Sequence, residues 1–185
     1  MTRLVQPSLD AYLHAAEIAD HEGALKALLE QIDSFPQVAT LHWLAGAEYA
    51  QLGNFDAAEA SMIRSLIQDP DLHVARFQLG LMQYSSGRPA VAMETWAALE
   101  KLDEQHYLVF FKRGFAALAI DDFDSALLLF SRGIERNTEN AALNRDIRMI
   151  TEEVEKRPRN GTLSGQAAED ATSIDHLLAS YRRNQ

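Results

Sequence analysis

The sequence predicts an all-α fold, an array of about four helical hairpins closed by a capping helix. Three observations predict it: a 34-residue internal period, paired segments with a 3.6-residue apolar rhythm, and Gly or Pro at the segment ends. Ala24, Ala58, Ala92 and Ala126 are each 34 residues apart, as are Gly46, Gly80 and Gly114. Gly53 and Gly87 keep the step, with Asp121 in the next slot, and Leu28, Met62, Trp96 and Phe130 form a large apolar row four residues after the alanines.

Each period reads as two helices joined by a tight turn. In residues 39–72, Leu41, Leu44, Ala45, Gly46 and Tyr49 fall on a helical period. Leu52-Gly53-Asn54-Phe55-Asp56 is the turn, with Gly53 free to adopt positive φ. Residues Ala57 to Ile67 give the second helix, and Asp69-Pro70 stops it, because proline disfavours the helical region for the residue before it. Small residues at the glycine and alanine rows let helices approach closely, and the Leu28 row is expected to fill space between neighbouring units. The units are residues 5–38, 39–72, 73–106 and 107–140. A capping helix follows over 141–156, where Asn140 can cap the start and Leu143, Ile147, Ile150 and Val154 form one apolar stripe.

Gly46, Tyr49, Gly53, Phe55, Ala58 and Pro70, then Gly80, Gly87, Ala92 and Trp96, then Gly114, Phe123, Ala126 and Phe130, carry a likeness to a known repeat. Over roughly residues 5 to 140 the chain resembles the tetratricopeptide repeat (TPR) family. The resemblance implies a right-handed α-solenoid that binds protein segments on its concave side. The first unit departs from the pattern, with Tyr12 at the small-residue position and His21 at the turn aromatic, as a terminal unit does when it caps a stack. Pro89 replaces the aromatic in the third unit, where a proline fits the first helical turn.

Composition narrows the function. A net charge of -10 disfavours nucleic acid, which needs a basic stripe. There is no cysteine, so disulfides and thiolate metal sites are excluded, which fits a cytoplasmic location weakly. No apolar run approaches the roughly 20 residues of a membrane helix, and Met1 to Leu13 does not read as a signal peptide. His14, Glu17 and His21 share a helix face, but scattered surface histidines explain them better than a metal does. Asp121, Asp122 and Asp124 lack the glycine and glutamate of a calcium loop. Nucleophile, base and phosphate-loop motifs are missing, so neither an enzyme nor a cofactor is expected.

The functional expectation rests on a second apolar stripe along each first helix. It comprises Leu9 and Leu13, with Ala16, in the first unit and Trp43 and Ala47, with Ala50, in the second. The third unit supplies Phe77, Leu81 and Tyr84, and the fourth Leu108, Phe111, Phe115 and Leu118. The resemblance implies that such a stripe lines the concave ligand groove. A monomer rarely leaves more than about 300–600 Å² of contiguous apolar surface uncovered, and each Phe or Trp can bury about 150–250 Å². Either something docks on the stripe or its residues are core. Members of the family that hold a carboxylate use lysines and asparagines on this face. Trp43, Ala47, Phe77 and Leu81 stand there instead, and Arg76, Lys112 and Arg113 do not match the pattern.

Residues 157–171 read as a flexible linker, followed by an amphipathic tail helix over 172–183. Ile174, Leu177, Leu178 and Tyr181 lie at i, i+3, i+4 and i+7, the spacing of a helix that docks in a groove. Arg182 and Arg183 follow, where the helix dipole favours positive charge. The sequence therefore reads as a protein-interaction adaptor or scaffold for an apolar or amphipathic helical segment. Its own tail is a candidate occupant, in cis or by self-association through a second chain. A secretion-type chaperone shielding an aggregation-prone client is the alternative, and a regulatory part of an enzyme comes third.

Overall fold

A computed structural model of the chain describes residues 7–156. Among these residues it contains nine α-helices and one short 3₁₀ segment, packed in sequence as helical hairpins. The described residues divide into two compact units, 7–79 and 80–156, and the division falls within the fifth helix.

In the N-terminal unit, α1 (Asp10–Glu17) packs on α2 (His21–Ser34), α2 on α3 (Ala39–Gln51), and α3 on α4 (Phe55–Gln68). Its core includes Leu28, Leu41 and Ala45, with Leu9, Tyr12, Leu25, Ile32, Phe35, Val38 and Leu44 packed around them. The proline stops act as expected: α2 ends before Phe35-Pro36 and α4 before Asp69-Pro70. Helix α5 (His73–Ser85) begins in this unit.

In the C-terminal unit, α6 (Pro89–Trp96) starts with proline at its first turn, where no backbone N–H is needed. It is shorter than α2, α4 and α8 and tightens into a 3₁₀ segment over Ala97–Lys101. Helix α7 (Tyr107–Leu118) packs on α8 (Phe123–Arg136), and α9 (Ala141–Glu155) covers α8. Leu143, Ile147, Ile150 and Val154 of α9 are all buried. The junction before α9 is held by amides. Asn137 Nδ2 donates to Asn144 Oδ1 at 2.9 Å, Asn144 Nδ2 donates to the Asn137 carbonyl at 2.8 Å, and Asn140 accepts from Leu143 N–H at 2.9 Å as the α9 cap.

The 34-residue period is written into the backbone. Ala19, Gly53, Gly87 and Asp121 all have positive φ, between 55° and 74°. One residue later, the N–H groups of Asp20, Asn54, Arg88 and Asp122 donate to the carbonyls of Ala15, Tyr49, Gln83 and Ala117, five residues back, at 2.9–3.0 Å. This is the Schellman closure of a helix end, made four times at the same repeat position. The same residues then begin the next helix. The side chains of Asp20, Asn54 and Asp122 accept from the N–H of Gly23, Ala57 and Ser125.

Close approach within the hairpins follows the glycines. A Cβ on Gly46 would lie 2.8 Å from Met62 Cγ, one on Gly80 2.2 Å from Trp96 Nε1, and one on Gly114 2.5 Å from the Phe130 ring. Met62, Trp96 and Phe130 therefore sit on the glycines of their own hairpins, which corrects the expectation that the row fills the space between units. Trp96 does both, since it also meets Phe115 of the following unit.

Candidate functional site: the first-helix stripe

The stripe residues fall into rows of the repeat, and exposure changes along each row. In one row, Leu13 is 57% exposed, Ala47 is half-buried, Leu81 is 5% exposed and Phe115 is fully buried. In the other, Leu9 and Trp43 are half-buried, whereas Phe77 and Phe111 are fully buried. Tyr84, Leu108 and Leu118 are buried as well.

In the C-terminal unit, packing between helices accounts for several of these side chains. Phe115 lies 5.1 Å from Tyr84, 5.3 Å from Trp96 and 5.0 Å from Phe130, ring centre to ring centre. These are the offset and edge-on separations at which aromatic pairs attract. The Tyr84 hydroxyl donates to the Phe115 carbonyl at 3.3 Å. Phe111 packs edge-on to Tyr107 at 5.9 Å, and its ring sits where a Cβ on Gly133 would come within 2.4 Å. Burial pushes the Tyr107 hydroxyl pKa up, and the charge of Glu139 adds to the shift. For Phe111, Phe115 and Tyr84, the core alternative left open by the sequence is the one these contacts describe.

The first two hairpins treat their stripe differently, although Phe77, also in the N-terminal unit, is fully buried. Leu9 packs on the first core, while Leu13 does not join it and faces solvent. Trp43 Nε1 donates to Gln78 Oε1, which satisfies the indole N–H and leaves the ring half-buried. Glu48 is buried on α3, and His21 Nδ1 lies 2.8 Å from its carboxylate. Tyr12 has its hydroxyl pKa pushed up, first by burial and then by the charge of Glu48. Tyr12 and His21 are the two departures of the first unit from the repeat: His21 pairs with Glu48, and Tyr12 packs against the core of Leu28, Leu41 and Ala45 while feeling the Glu48 charge.

The cations Lys112 and Arg113 of α7 are engaged locally. Lys112 Nζ donates to Glu100 on the 3₁₀ segment, and Arg113 lies 3.9 Å from the same carboxylate. Hydrogen bonding from Lys112 holds the Glu100 carboxyl below its usual range. Among the described residues no group of three or more His, Asp or Glu side chains could hold a metal ion. No helix among them is long and apolar enough to cross a membrane. The tail residues Ile174, Leu177, Leu178 and Tyr181 lie outside the described residues.

Sequence reasoning found the Asn140 cap but missed Gly133 and the Asn137–Asn144 pairing. Gly133 follows Ser65 and Leu99 at the 34-residue step, so a small residue there had no row to announce it. No family model matches the chain, and no curated protein matches its sequence.

Proposed function

We propose that this chain is a protein-binding adaptor of the TPR type, which takes an apolar or amphipathic helical segment on the first-helix stripe. The right-handed solenoid stacking expected from the resemblance belongs to this proposal. The accessible part of the site is Leu9, Leu13, Trp43 and Ala47. The observation that carries the reading is Leu13, a large apolar side chain 57% exposed at a repeat position whose later members are buried. Its unit has a core that does not need it. A helix-in-groove ligand reads such anchors at i, i+3, i+4 and i+7. The chain's own segment 172–183 has that spacing and is the intramolecular competitor for the same stripe.

Affinity capture with the full chain and with Leu13→Asp, read by mass spectrometry, tests this. Partners retained by the wild type and lost by the variant are expected. A partner set indifferent to Leu13→Asp contradicts the assignment. Leu177→Asp with Leu178→Asp in the full chain is expected to raise capture by removing the competitor.

A further inference from the structure

We infer that the helical segment received by the N-terminal unit is basic, with an apolar face flanked by Lys or Arg. This inference rests on the proposed docking of a helix and names the chemistry of its partner. Charge is unevenly shared between the two units. Residues 7–79 carry 11 Asp or Glu against 3 Lys or Arg, a net of -8, whereas residues 80–156 carry 13 against 9, a net of -4.

The acidic excess reaches the exposed apolar side chains. On α1, Asp10, Leu13 and Glu17 lie at i, i+3 and i+7, so they share one face, and all three are exposed. Ile18, at the C-terminal end of the same helix, is 65% exposed. The first hairpin, residues 10–34, holds six carboxylates and a single lysine.

An apolar anchor bracketed by carboxylates discriminates between amphipathic helices that present the same apolar face. A helix flanked by Lys or Arg gains attraction and loses like-charge cost, and an acidic one meets repulsion. Because these carboxylates are exposed, the preference should be screened by salt. The apolar contribution should not be.

The test uses the full chain and three fluorescent synthetic helices of equal length. The first has Leu at i, i+3, i+4 and i+7 with Lys flanks. The second has the same apolar face with Glu flanks. The third has the composition of the first, scrambled so that no apolar face forms. The basic amphipathic helix should bind about tenfold or more tightly than the acidic one, a preference that salt reduces. Asp10→Asn with Glu17→Gln should reduce the same preference, and Leu13→Ala should weaken the first two helices alike. Equal binding of the basic and acidic amphipathic helices overturns the inference while leaving helix docking intact. Equal binding of the scrambled helix also overturns it, because charge alone then suffices. Failure of both amphipathic helices to bind removes the docking proposal itself.

Discussion

The first two hairpins of this molecule and the last two use one repeat register in opposite ways. At the same position in the first and fourth hairpins, Leu13 is at the surface and Phe115 is the centre of an aromatic cluster. At another, Trp43 is half-buried and Phe111 is sealed against Gly133. Hydrophobicity at a repeat position therefore does not decide whether the residue is core or surface. The surroundings decide, and in the C-terminal unit they include a row of aromatic rings and a glycine opposite Phe111.

The largest break of that contrast is truncation. Phe115→Ala should cost about 3–5 kcal/mol, the range for removing a buried aromatic side chain, whereas Leu13→Ala should stay within about 0.5 kcal/mol. Chemical denaturation read by circular dichroism checks both, and similar costs would erase the distinction between the halves.

Methyl groups added at the glycine row should show a smaller difference. Gly114→Ala drives a Cβ into the Phe130 ring at 2.5 Å and should cost about 1–3 kcal/mol. Gly46→Ala overlaps less, meeting Met62 Cγ at 2.8 Å and the backbone atoms Ala58 O at 3.1 Å and Met62 N at 3.3 Å, and should cost less. About 1 kcal/mol gained in helix propensity offsets part of the cost at either glycine. A Gly46→Ala as costly as Gly114→Ala would show that both hairpins are equally rigid.

The turns should respond by about 1–2 kcal/mol, the penalty of left-handed backbone for a side-chain-bearing residue. Gly53→Ala at φ 74° should destabilise by that order, while Ala19→Gly at φ 55° should be neutral or stabilising. Thermal unfolding of the two variants separates the outcomes, and a destabilising Ala19→Gly would contradict the strain account.

The smallest effect concerns acid. The folded pKa of Glu100 lies below its ordinary value of 4.5, so its pairing with Lys112 stabilises the fold above that value. The contribution fades as pH falls towards the folded pKa. The carboxylate is 49% exposed, which limits the effect to less than about 1 kcal/mol. Glu100→Gln should therefore lower stability at neutral pH and converge with the wild type in acid. A difference independent of pH would exclude the ion pair as its source.

Much of the backbone was legible in the chain. The 34-residue step located the four turns, because a Schellman closure needs one left-handed residue and Gly53 and Gly87 supply it without strain. Asp121 and Ala19 were harder to read, since a side-chain-bearing residue at positive φ has no compositional flag beyond its register. Asn140 was legible as a cap because its side chain can only serve one helix start there. The stripe was half legible: its spacing showed that Leu13, Ala47, Leu81 and Phe115 share a place in the repeat. It could not say which helix would meet them, because periodicity reports angle along one helix and burial depends on the neighbour. The short α6 and its 3₁₀ continuation had no evident signal, and nothing in the packing explains why the tightening begins at Ala97.

The two tryptophans offer the most direct test of the accessible N-terminal stripe, since Trp43 is half-buried and Trp96 fully buried. Acrylamide quenching of the wild type and of Trp43→Phe, with and without the Lys-flanked amphipathic helix, separates their signals without disturbing the aromatic cluster. The account predicts that Trp43 is the quenchable fluorophore and that the helix protects it while leaving Trp96 unchanged. Equal quenching of both, or a helix that alters Trp96 and spares Trp43, would contradict it.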